Sequence, residues 1–170
     1  MTSSLSSTIS AAQQKAFVTY SAPYSAEDHY EITLLEAPSL LASSGTTGFR
    51  TWEAALLLGQ YFCSSVGTHY VHGQSIIELG AGTGLLSLLC AKHLGAQRVL
   101  ATDGSHQVLD DIQTNLTLND LSENASIEVA QLQWGHSLIG GIVDPAGKGH
   151  TYDVAFGADV VGDLLSRFMA

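Results

Sequence analysis

Apolar and polar positions along the chain repeat with two different periods, and the changes of period mark the elements. Glu31-Ile32-Thr33-Leu34-Leu35-Glu36 has the alternation of a half-buried strand, which Pro38 stops. A second short strand near Leu40–Ala42 is expected to turn back on it, before a loop over Ser43–Gly48. Upstream, Met1 to Ser10 is polar and low in complexity and is expected to be disordered, and Ala11–Tyr20 is read as a short helix. Ala54, Leu57, Leu58, Tyr61 and Phe62 then recur at helical spacing, so that face is predicted to be core, with Thr51 as the N-cap. Arg50, Trp52 and Glu53 stand at the helix entrance, where such residues either cap and pack or reach a neighbouring pocket.

From Ile76 onward strands and helices take turns. Ile76-Ile77 opens a short buried strand, Leu85–His93 is a helix stopped by Gly95, and Arg98–Asp103 is a second strand. Ser105 opens a helix to about Asn119, with Val108, Leu109, Ile112, Leu116 and Asn119 inward. Ser126–Val129 is a third strand, Ile139–His150 a Gly-rich loop, and Tyr152–Asp159 a fourth strand ending in an acid. This alternation predicts an α/β fold, a parallel sheet with right-handed crossovers. Ligands of such sheets lie beyond the carboxyl ends of the strands. Glu78, Asp103, Trp134 and Asp159 are predicted to gather there.

The most informative stretch is Glu78-Leu79-Gly80-Ala81-Gly82-Thr83-Gly84. A strand that breaks into glycines and restarts as a helix presents backbone amides to a ligand. The dinucleotide pattern G-x-G-x-x-G is not met, because the spacing here is G-x-G-x-G. Glu78 would also repel a pyrophosphate at close range. An acid in that place suits a ligand with a cationic amine and a sulfonium, such as S-adenosyl-L-methionine, and disfavours a nicotinamide oxidoreductase; a plain strand–turn–helix corner is the competing reading. Asp103 at the tip of the next strand either takes ribose hydroxyls or makes an Asx turn with Gly104 and Ser105. Trp134 either stacks on a base or packs in the core.

Composition narrows the partners. At 170 residues the chain is one domain's worth of sequence, and a net charge of −10 with six Lys and Arg argues against nucleic acid. Cys63 and Cys90 lie in apolar contexts without a C-x-x-C and read as reduced buried thiols of a cytoplasmic protein. No apolar run reaches membrane-spanning length. His69 and His72 have no ligand cluster near them, and no metal site or Ser-His-Asp arrangement stands out.

Five blocks in order make the chain resemble the class I seven-strand methyltransferases, and within them methyltransferase family 16, the lysine-directed branch. They are Thr47-Gly48-Phe49-Arg50-Thr51-Trp52-Glu53-Ala54, Glu78–Gly84, Ala101-Thr102-Asp103-Gly104, Leu132-Gln133-Trp134-Gly135 and Gly157-Ala158-Asp159-Val160-Val161. The first is similar to fungal enzymes that methylate a lysine of translation elongation factor 2. The resemblance implies a Rossmann-like domain over residues 29–170 after an N-terminal segment, 1–28. It implies Trp52 at the cofactor rim, Glu78, Gly80 and Gly82 on the methionine half, Asp103 on the ribose and Trp134 against the adenine. Ala158 and Asp159 line the transfer site, Asp159 orienting the substrate amine. A cytoplasmic monomer acting on a protein substrate is expected. The family's tyrosine three places after the final acid is Gly162 here. About three further strands and two helices are expected beyond the fourth strand, so the chain reads as a truncated or mis-spliced product.

Overall fold

The computed structural model of the protein describes residues 14–23, 29–39, 47–123, 126–133 and 151–160. In chain order the elements are β1 (Ala16–Pro23), β2 (His29–Glu36), α1 (Glu53–Cys63), a 3₁₀ turn (Gly67–Tyr70), β3 (Ser75–Leu79), α2 (Leu85–Lys92), β4 (Arg98–Asp103), α3 (His106–Leu118), β5 (Ile127–Gln131) and β6 (Val154–Phe156). β5-β4-β3-β6 form one sheet, parallel at every pairing, and β1-β2 form a separate antiparallel hairpin. The α/β reading of the sequence therefore holds. The chain winds outward from β3 through β4 to β5, then returns to lay β6 on the other side of β3. The gap between the ends of β3 and β6 is a topological switch point, where parallel sheets bind ligands.

The core follows the apolar pattern. Ile76, Val99 and Ala101 of the sheet, Leu86 and Leu88 of α2 and Val108, Ile112 and Leu116 of α3 are buried together. Ile32 and Leu34 of β2 join them as the hairpin packs on α2 and α3. Among the described residues the outer edge of β2 meets no strand, and two side chains of α3 bond to it instead. Asn119 Oδ1 accepts from the Thr33 N–H at 3.1 Å and Asn119 Nδ2 donates to the Thr33 carbonyl at 2.7 Å. Asn115 Oδ1 accepts from the Leu35 N–H at 2.8 Å. The match is geometric: four helical residues rise ~6 Å and two strand residues ~6.7 Å, so asparagines at i and i+4 meet alternate residues of an edge.

Three expectations are corrected. The segment ending at Tyr20 is strand from Ala16, not helix, because Phe17, Val18, Thr19 and Tyr20 have a ladder partner in β2. This pairing makes β1 and β2 a hairpin; residues 40–42, where a further short strand is expected, lie outside the described residues, as do Met1–Ser10 and the Ile139–His150 loop. The predicted buried face of α1 is corrected in part: Phe62 is buried and Leu58 packs on the core as expected, but Leu57 is 67% and Tyr61 43% exposed, and Gly59 is buried instead. The helix is apolar on most sides, so its period alone does not choose a face. Gly59 lies on the face turned to α2, where an added Cβ would make ordinary van der Waals contact, 3.4 Å, with both Leu86 and Leu89. Third, Trp52 rather than Thr51 is the N-cap of α1, with no side-chain cap of its own.

Among the described residues no helix is long and apolar enough to cross a membrane, and no group of three or more His, Cys, Asp and Glu side chains is placed to hold a metal ion.

Replacing Asn119 with Leu keeps the volume and removes both bonds to Thr33. Denaturant unfolding should show a loss of about 1–3 kcal/mol, with faster amide exchange at Thr33.

Candidate functional site

β3 ends at Leu79 and α2 starts at Leu85, and the five residues between them reverse the chain on three glycines of positive φ: Gly80 (67°), Gly82 (55°) and Gly84 (83°). L side chains rarely adopt these values, which is why the alternation of glycines is needed. Gly84 is also crowded, since a Cβ would come within 3.0 Å of Leu88 and 3.3 Å of Ile112. The turn is pinned to β4 through the Ala81 N–H, which donates to the Thr102 carbonyl at 2.8 Å. The Thr102 hydroxyl donates to the Glu78 carbonyl at 2.6 Å.

Beneath the turn lies the Glu78 carboxyl, 3% exposed. Its Oε2 accepts twice from Ser87 in the first turn of α2, from the backbone N–H at 3.0 Å and the hydroxyl at 2.5 Å. Burial pushes the Glu78 pKa up to about 7, the Ser87 bonds pull it down and the neighbouring Asp103 charge adds to the rise. Asp103 is likewise raised, chiefly by burial, against the backbone N–H groups that bond it. Oδ1 accepts from Ser105 at 3.0 Å and Oδ2 from Gly82 at 3.2 Å. The first bond is the anticipated Asx turn; the second ties the strand tip to the glycine turn, so one buried and one half-buried carboxyl flank one loop.

A cleft opens in front of them, its lining including Arg50, Trp52, Glu78, Gly80, Gly82 and Ala158. The Arg50 guanidinium lies 4.3 Å over the Trp52 ring and donates to Glu53 at 3.2 Å. Trp52 Nε1 donates to the Thr47 carbonyl at 3.0 Å. Ala158 reaches the cleft because β6 closes tightly on β3: a Cβ on Gly157 would stand 2.8 Å from the Leu79 carbonyl oxygen. Asp159 follows with φ 55° and is exposed. Its Oδ2 accepts from the Ala54 N–H at 3.3 Å and so meets one of the free amides at the start of α1.

Trp52, Glu78, Gly80, Gly82 and Ala158 therefore share one cleft, Asp103 supports its glycine wall, and Asp159 stands at the α1 end of it. Trp134 lies outside the described residues. Sequence reading missed Ser87, whose place three residues past Gly84, inside an apolar run, is the signal for it. It also missed Glu36, whose carboxylate is buried 15 residues before Thr51.

The sequence profile described as lysine methyltransferase matches residues 40–165. The protein-lysine N-methyltransferase EFM3 of Chaetomium thermophilum is 43% identical over 162 residues, 94% of this chain and 48% of that one. EFM3 of Saccharomyces cerevisiae is 32% identical over 145 residues, 76% of this chain and 43% of that one. Human protein-lysine N-methyltransferase EEF2KMT is 33% identical over 61% of this chain and 33% of its own. The chain thus spans about half, or less, of the length of these relatives. Among solved structures, the Thermus thermophilus 16S rRNA methyltransferase RsmC matches with a TM-score of 0.48 and 22% identity, over 83% of this chain and 32% of that one.

Because the folded pKa of Glu78 lies above its ordinary value of 4.5, its protonated form favours the fold. That stability is complete below about 4.5 and is lost as pH rises through about 7. Glu78→Gln should remove this loss, making the variant more stable than the parent above pH 7 by on the order of 3 kcal/mol, read from unfolding midpoints across pH.

Proposed function

The chain belongs to the lysine methyltransferase family, and from that premise we propose that it binds S-adenosylmethionine in the β3–β6 cleft and serves protein-lysine N-methylation. The observation that carries this reading is the pair of carboxyls, Glu78 buried and Asp103 half-buried, on either side of a turn of three positive-φ glycines. A cleft lined by Glu78, with Asp103 behind its glycine wall, favours a cationic ligand that carries hydroxyls over a pyrophosphate. S-adenosylmethionine supplies an already activated methyl group when bound.

The remaining work falls to the chain's own side chains. Glu78, Gly80 and Gly82 hold the methionine half, Asp103 takes the ribose hydroxyls and Trp134 covers the adenine. Trp52, held by Arg50 and Thr47, closes the rim. A lysine amine must arrive neutral and in line with the bond that breaks, and Asp159 beside Ala158 is the group to orient it and draw off its proton. The proposed substrate is elongation factor 2, to which the Thr47–Ala54 block points, and the proposed setting is a cytoplasmic monomer. The second reading is cofactor binding without methyl transfer.

Calorimetry with S-adenosylmethionine and a radiolabelled transfer assay on elongation factor 2 separate the two. Affinity should rise with pH through about 7 as Glu78 ionises, and that dependence should vanish in Glu78→Gln. Absence of binding by the folded chain would overturn the proposal. Asp159→Asn should lower the transfer rate about tenfold or more, with little change in cofactor affinity.

A further inference from the structure

The buried carboxylate of Glu36 lies outside the cleft, at the end of β2, yet it is joined to both walls. Its Oε1 accepts from the Tyr20 hydroxyl of β1 at 2.7 Å. Its Oε2 accepts from the Thr51 N–H, at the approach to α1, also at 2.7 Å. Thr51 then passes the connection on, its hydroxyl 2.8 Å from that of Thr83 in the glycine turn. The Thr83 carbonyl accepts from Asn115 Nδ2 at 3.0 Å, and Asn115 Oδ1 accepts from the Leu35 N–H at 2.8 Å. Leu35 precedes Glu36, so the path closes on itself: β2, the α1 entrance, the glycine turn, α3 and β2 again.

We infer that Glu36 is a positioning residue for the cleft, fixing the Arg50–Trp52 wall against the Gly80–Gly84 wall through this ring of hydrogen bonds. Each member is buried or half-buried, so an open link leaves a polar group with no water to replace its partner. Burial and the bond to Glu36 push the Tyr20 phenol up to about 12, so it remains a donor to the carboxylate. Because the ring has no free end, whatever holds the two walls together also holds the hairpin, and the coupling must run equally in both directions.

Amide exchange on the ligand-free chain tests this directly. In Glu36→Leu, which removes both acceptors, exchange across residues 80–84 should rise about tenfold while that of β4 stays as in the parent; Glu36→Gln, which keeps one acceptor for Thr51, should fall between. Thr83→Val opens the ring at its far side and should speed exchange at residues 33–36, even if the Glu36 variants do not fold. Unchanged exchange in the glycine turn of folded Glu36→Leu, or at β2 in Thr83→Val, overturns the inference. The ligand arm rests on the proposed function: S-adenosylmethionine affinity should fall about tenfold in Glu36→Leu, and hairpin amides of the parent should slow when the ligand is added. If the parent does not bind, the proposed function fails and the exchange measurements still decide the role of Glu36.

Discussion

A carboxyl buried as deeply as that of Glu78 has to be compensated where it stands, and the arrangement of the cleft follows from how this is done. The donors are the backbone and hydroxyl of Ser87, both on the first turn of the following helix. α2 must therefore begin within a few residues of the strand it follows. Gly84, in the left-handed region, makes the abrupt start, and the Ser87 amide of the new helix's first turn faces the acid. Strand end, glycine turn and helix start form one electrostatic unit. Asp103 enters the same unit from β4 through the Gly82 amide, and its charge adds to the cost of ionising Glu78, which favours a positive charge beside the pair.

Around this unit the sheet supplies position. β6 returns to the open side of β3, and the approach at Gly157 is too close for any side chain. The chain then leaves β6 at the mouth of the cleft, where Asp159 meets the amide of Ala54. One acid thereby ties the sheet to the start of α1 while lying next to a residue that lines the cleft. The cation–π contact of Arg50 with Trp52 completes the same corner, so the rim is held by contacts at the helix entrance as well as by the sheet.

The hairpin shows how a small element outside the sheet acquires a role in it. Its edge is finished by Asn115 and Asn119, and its last residue by a bond to the α1 entrance. Side-chain amides spaced by one helical turn do what another strand would have done, and this keeps the edge from remaining an open template for pairing. An acidic residue closing a period-two strand looks in sequence like an ordinary solvent-facing end. Its burial is produced by Thr51 and Tyr20, which lie 15 residues after it and 16 before it.

Local pattern was enough for whatever depends on neighbours in the chain. The G-x-G-x-G spacing marked a turn from strand to helix that glycine's freedom permits, and the apolar runs at Ile76 and Arg98–Asp103 marked buried parallel strands. The order of blocks from Thr47 to Asp159 was sufficient to place the chain in its family. Tertiary structure decided what depends on partners distant in sequence. It made Ala16–Tyr20 strand by giving it β2, turned α1 onto Gly59 by bringing α2 against it, and buried Glu36 and Ser87 among donors. Periodicity reports which residues shun water, because that preference is intrinsic to each side chain. It does not report which surface they find or which polar group is enclosed with them, because those outcomes belong to contacts between segments.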